Sequence, residues 1–238
     1  MKNLFFTFLI LLASLGANAQ GRSLVNPSLG AANRHFDAGR YKEAIAEYSK
    51  TIYIEPSFMQ AYNNRGLAKL ELNDYTGAMT DFNKVITVEP KNAEAYRNRA
   101  TLKIRKQDYA GALTDYDKAL ALGADDADLY YNRGIAKVAL NKPREAISDF
   151  DNSIRLKPQV VETFVERAYA KLNTSDAKGA LADFSQAIKL DPKMAAAYYG
   201  RGYSQVVLKN NSGACPDLQK AAQMGSQEAR TLLAKTCK

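Results

Sequence analysis

The chain has 238 residues, 46% of them hydrophobic and 24% charged, with a formal net charge of +8. That balance excludes a disordered polymer and describes a globular protein long enough to bury a sizeable core. One histidine and two cysteines leave little material for a metal centre or a histidine-based catalytic site.

The first element is a targeting segment. Lys2 precedes an uncharged run from Leu4 to Leu15, which ends at Ala17-Asn18-Ala19 before Gln20. A basic start, an apolar stretch and small residues at the end form a secretory signal peptide, with cleavage expected after Ala19. Residues 1–19 are therefore expected to be removed and the rest exported to a periplasmic or extracellular space, with an uncleaved N-terminal membrane anchor as the alternative. The apolar run is about a dozen residues, where a membrane span needs roughly 20. No second run of spanning length follows, so the mature chain reads as soluble or peripheral to an envelope membrane. Export argues against nucleic acid as the partner of its positive charge. An oxidising compartment also makes Cys215 and Cys237 candidates for a disulfide.

The remainder is organised by a repeat. Prolines at 56, 90, 158 and 192 sit on a 34-residue grid whose vacant point, Ala124, lies beside Gly123. This period gives repeats at 25–58, 59–92, 93–126, 127–160, 161–194 and 195–228, leaving 229–238 as a tail. Position 20 of the repeat is alanine six times, at 44, 78, 112, 146, 180 and 214. Position 8 is always alanine or glycine, and small residues at both places let two helices of a hairpin approach closely. Position 24 carries Tyr48, Phe82, Tyr116, Phe150, Phe184 and Leu218, which share the alanine's helix face and fill the space beside it.

These columns, together with an early aromatic at Tyr62, Tyr96, Tyr130, Phe164 and Tyr198, resemble the tetratricopeptide repeat family over residues 25–228. The resemblance implies an all-α fold: a right-handed superhelical solenoid of six helix hairpins, with a groove lined mainly by each hairpin's first helix. Asn26-Pro27 suits the opening of the first helix. At the other end Ser226 can cap a last helix from Gln227 to about Thr236, closing the array as a lid. The segment from Leu218 to Leu233 also resembles the Ala-rich Sel1-type variant of the repeat. With the turn at Gly225 and Ser226 between them, Cys215 and Cys237 would lie level in an antiparallel hairpin and bond.

No sequence motif for catalysis, a cofactor or a metal is present. His35, the one histidine, has no nucleophile in a recognisable motif, and no glycine-rich phosphate loop follows a strand. A different column departs from the family pattern: position 7, usually leucine, is Arg65, Arg99, Arg133, Arg167 and Arg201, while position 23 is Asp81, Asp115, Asp149, Asp183 and Asp217. Five arginines cannot be buried alone, so structural ion pairs with these aspartates are expected. The rival reading is an anion-binding ladder reinforced by Lys69, Lys103, Lys137 and Lys171, one helical turn after the arginines.

Groove positions are free of the hairpin's packing demands and are where binding should reside. They carry Asn64, Arg97, Asn98 and Asn132 toward the first half, and Tyr131, Tyr169, Tyr199 and Tyr203 with Val165 toward the second. In the family, asparagines at this position hold a bound peptide's main chain, since an amide both donates and accepts. Tyrosine offers apolar area with a polar tip. The family's clamp for C-terminal carboxylates needs lysine and arginine, whereas position 2 here reads Glu94, Asp128 and Glu162. The sequence thus points to a non-enzymatic, exported scaffold that binds a protein or peptide. The alternatives are a binder of envelope glycans or other polyanions, and a self-assembling array.

Overall fold

A computed structural model describes residues 27–237; the expected signal segment 1–19 and the expected cap Asn26 lie outside the described residues. Among the described residues there are thirteen helices and no strand. A helix over 27–37 is α1. It is followed by α2 Tyr41–Ile54, α3 Met59–Glu71, α4 Tyr75–Val88, α5 Ala93–Arg105, α6 Tyr109–Ala121 and α7 Ala127–Ala139. Then come α8 Pro143–Leu156, α9 Val161–Asn173, α10 Ala177–Leu190, α11 Ala195–Val207, α12 Asn211–Gln223 and α13 Gln227–Thr236. The second helices open at Tyr41, Tyr75, Tyr109, Pro143, Ala177 and Asn211, a constant step of 34 residues.

Short polar side chains start several of these helices, and left-handed turns stop the first helix of each hairpin. Asp74, Asp176 and Asn210 accept from the N–H groups of Gly77, Gly179 and Gly213, while Asn92, Asp126 and Ser226 cap α5, α7 and α13 in the same way. Within each hairpin the second residue after the first helix turns back at positive φ, as at Asn73, Asn141 and Lys209, and the next N–H bonds to a carbonyl five residues earlier. Gly123, at φ 94, makes that same closure after α6, with Ala124 N–H on the Ala119 carbonyl. A left-handed residue suits glycine, which is why this turn dispenses with the proline used elsewhere on the grid.

The hairpin core follows the small-residue columns. All six position-20 alanines are fully buried, and so are Tyr48, Phe82, Tyr116, Phe150, Phe184 and Leu218. A Cβ added at Gly66 would come within 2.6 Å of the Phe82 ring, and one at Gly134 within 2.6 Å of Phe150. The aromatic of the second helix thus fills the space that a side chain on the first would take.

The chain divides into two compact units, one of residues up to Asp108 with Asp117–Ala124, the other of Tyr109–Tyr116 with the residues from Asp125 onward. In the second unit, α7 with α8, α9 with α10 and α11 with α12 form hairpins, and α13 packs on α11 and α12. Cys215 on α12 and Cys237 just beyond α13 are joined by a disulfide, with Cα atoms 5.8 Å apart. No described helix is long and apolar enough to cross a membrane.

Candidate protein-binding face

The arginine column is a structural staple. Arg65 donates from Nε and Nη2 to the two oxygens of Asp81 at 2.9 and 2.7 Å. Arg167 grips Asp183 at 2.8 and 2.6 Å, Arg201 grips Asp217 at 2.7 Å through both nitrogens, and Arg133 makes the same fork on Asp149. These aspartates are buried, so two parallel charge-assisted bonds replace the water they lose. Lys69, Lys137 and Lys171 add a second cation to the same carboxylates at 2.7 to 2.8 Å. In the last hairpin Gln205 takes that place, donating to Asp217 at 3.0 Å.

Further contacts fix the guanidinium groups. Each lies over the aromatic ring three residues earlier, at 5.4 to 5.8 Å in all five hairpins that carry the arginine, an arrangement that attracts a cation to the ring face. Arg65 and Arg167 also reach the preceding repeat's second helix, at Ser49 and Asp151. Burial alone would lower the Arg167 pKa, but hydrogen bonds to Asp183 and Asp151 outweigh it and hold the guanidinium above its usual value. Arg99 lies over Tyr96 and donates to Asn83, and Asp115 is buried on α6. The ring partners went unrecognised in the sequence, although the three-residue spacing between aromatic and arginine was visible. With these aspartates holding them, the cations offer poor support for an anion ladder.

In the first unit the first-helix amides largely satisfy one another. Asn63 donates to Glu94 at 3.0 Å, and Asn98 donates to Asn63 at 3.0 Å while accepting from Arg97. Asn98 is 3% exposed, which corrects its expected role in holding a partner's main chain: its amide already bridges two hairpins. Asn64, at the same repeat position, is only half-buried and bonds weakly to Asn33 at 3.4 Å, an oxygen that also receives the Tyr48 hydroxyl at 2.7 Å. These groups line a cleft of about 250 Å³ with Phe36, Asp37 and Leu67. Arg97 is half-buried and also faces Glu94 at 3.9 Å.

The second unit presents rings instead. Because α7, α9, α11 and α13 contact one another in succession, their side chains form one face. Tyr131 leans on Phe150 with centroids 6.1 Å apart, and Tyr169 meets Phe184 edge-on at 5.1 Å. Tyr199 and Tyr203 form a tilted pair at 6.3 Å, with Tyr203 40% exposed. Asn132 is half-buried on α7. Val165, expected among the groove residues, is buried and belongs to the hairpin core. Burial pushes the Tyr169 phenol up to about 12, with the neighbouring Tyr199, Glu166 and Glu228 adding to the rise.

Glu166 stands where earlier repeats have Asn64, Asn98 and Asn132. It is half-buried, burial raises its pKa, and it has no hydrogen-bond or ion-pair partner among the described residues. It was overlooked in the sequence, where a break in the amide column was the available signal. His35 is partly buried in the first hairpin, with Nδ1 unpartnered. Among the described residues no group of three His, Cys, Asp or Glu is placed to hold a metal.

Stapled helical hairpins on a constant period, with a polar and aromatic first-helix face, define an α-helical repeat protein. Family models described as "TPR repeat" match residues 32–72 and 102–141, and models described as "Tetratricopeptide repeat" match 60–92, 127–160 and 165–229. The chain belongs to the tetratricopeptide repeat family. Its fold is similar to that of YrrB, described as a TPR protein with an unusual peptide-binding site, at 24% identity and a TM-score of 0.73 over 79% of this chain and 97% of that one. It is also similar to pilF of Pseudomonas aeruginosa, at 17% identity and a TM-score of 0.75 over 92% and 99% of the two chains. A tetratricopeptide repeat protein from Parabacteroides merdae is similar at 20% identity and a TM-score of 0.60, over 100% and 98%. No curated protein matches the chain.

Proposed function

We propose that this protein is a non-enzymatic adaptor, exported after cleavage at Ala19, that binds an extended or helical segment of another protein along its first-helix faces. One observation carries the reading: Tyr199 and Tyr203 form a partly exposed aromatic pair on α11 that the hairpin core does not require. Tyrosines in that setting supply contact area at low entropic cost. In the second unit Asn132 is the amide available to a partner's main chain, and Tyr131 and Tyr169 would receive its apolar side chains; Asn64 is the amide left available in the first. YrrB, with its peptide-binding site, is consistent with binding on this fold. We read the Ala-rich tail hairpin as a Sel1-type variant that closes the array.

The test is affinity capture from the native cell envelope with the mature chain and with Tyr199→Ala/Tyr203→Ala. A partner retained by the first and lost by the second, at both low and high salt, supports the reading. A partner held equally by both, and released as salt rises, contradicts it and favours polyanion binding. N-terminal sequencing of exported material checks the signal peptide, with Gln20 the expected first residue.

A further inference from the structure

We infer that the first-helix face of the second unit receives a cationic side chain, a lysine or arginine of the bound segment, seated on the Glu166 carboxylate beside Tyr131 and Tyr169. This rests on the groove reading above and specifies the partner's chemistry.

The argument begins with an imbalance. Buried Asp81, Asp149 and Asp183 each hold an arginine and a lysine, and Asp217 holds an arginine and Gln205. Glu166 has lost part of its water and has neither. Removing water from a carboxylate without supplying a donor is unfavourable, so a folded protein keeps such a group where something else compensates. Asparagine, used at the same position in three other repeats, would avoid the cost.

The surroundings select the sign of the missing charge. The groups acting electrostatically on Tyr131 are Glu166 and Glu162; those acting on Tyr169 are Tyr199, Glu166 and Glu228; those acting on Tyr199 are Tyr203 and Glu228. All are acidic or phenolic. Tyr130, one residue from Tyr131 but on the staple side of α7, feels Asp125 together with the cations Arg133 and Arg155, so there acid and base are mixed. Its own backbone N–H and the Ser226 hydroxyl lower the Glu228 pKa. A chain of net charge +8 thus presents one acidic, ring-lined face. Aromatic rings attract cations at their faces, and carboxylates set among rings are a recurrent seat for lysine and arginine. An acidic tail would meet only repulsion there.

The probe is a displayed library of random dodecapeptides selected on the full mature chain. Selected peptides are expected to carry lysine or arginine. The affinity of a synthesised winner should fall about tenfold or more against Glu166→Gln, and by a similar factor when its cation is replaced by norleucine. The two changes combined should cost little more than either alone, because they remove the same contact. Thermal unfolding of Glu166→Gln, unchanged or raised, shows that the variant folds. Peptides that depend on Tyr199 and Tyr203 but show no excess of lysine or arginine, and bind Glu166→Gln equally well, overturn the cation seat and leave the groove standing. If no peptide is selected, or winners ignore every first-helix variant, the groove reading fails and the cation seat with it.

Discussion

The two units carry the same scaffold and use its first helices differently. In the first, Asn63 and Asn98 are buried and bonded from hairpin to hairpin, with Asn63 donating to the exposed Glu94, so an amide that looks available in sequence is internal. In the second, Glu166 stands at the Asn98 position without a partner, Tyr131 stands at the Asn63 position against Phe150, and Tyr169, three residues beyond Glu166, meets Phe184. A repeat column tells which way a side chain points, and its neighbours decide whether it is already occupied. The staples of Arg on Asp run through both units and form the background against which the difference stands.

The largest effect should come from that background. Arg133→Leu leaves buried Asp149 without its bidentate partner and should destabilise the protein by about 3 kcal/mol, read from the urea midpoint. Adding Asp149→Leu should recover part of the loss, whereas additive losses would refute the pairing. Replacing Cys215 and Cys237 by serine opens a disulfide spanning 22 residues, and the entropy of that loop predicts a loss of about 3 kcal/mol. The loss should fall on α13, the helix that carries Glu228 to the end of the acidic face. Faster hydrogen exchange there should report it, and unchanged exchange would count against the tie.

Smaller changes separate the units directly. Tyr203→Ala should weaken partner binding by about 2 kcal/mol at unchanged fold stability. Asn98→Ala should do the reverse, costing about 1 kcal/mol of stability with binding intact, because the lost bonds are internal. Calorimetric titration beside denaturant unfolding distinguishes the two, and a binding defect in Asn98→Ala would erase the contrast. The smallest effect is electrostatic. Burial raises the Glu166 pKa above its ordinary value, so in the window between the two the folded state holds more protons than the unfolded one. Stability contributed by Glu166 is therefore lost as pH rises through that window, and its cost is fully present above it. Glu166→Gln should remove this dependence and raise the neutral-pH Tm by about 1 to 2 °C. A lower Tm at neutral pH would mean that the carboxylate has a partner in the free protein.

Most of the fold was legible because packing imposes it on every repeat. A six-fold alanine column and a matching aromatic column admit one arrangement of paired helices, and Ser226 after Gly225 marks the last helix start. The forks on Asp81, Asp149, Asp183 and Asp217 were legible for the same reason: charge repeated at a core position needs its opposite. The binding face was less so. Asn64 and Asn98 are indistinguishable as letters in a column, and only the side chain of Asn63, one helix away, separates a half-buried amide from a sequestered one. Glu166 was hidden by its singularity, since reading columns rewards recurrence and passes over the member that differs.

Hydrogen exchange by mass spectrometry on the full chain, with and without a selected peptide, tests the central claim most directly. Binding on the first-helix face predicts added protection in α7, α9 and α11, strongest around Glu166 to Tyr169 and Tyr199 to Tyr203, with α8, α10 and α12 little changed. Protection confined to α8, α10 and α12, with exchange in α9 and α11 unaltered, would contradict it.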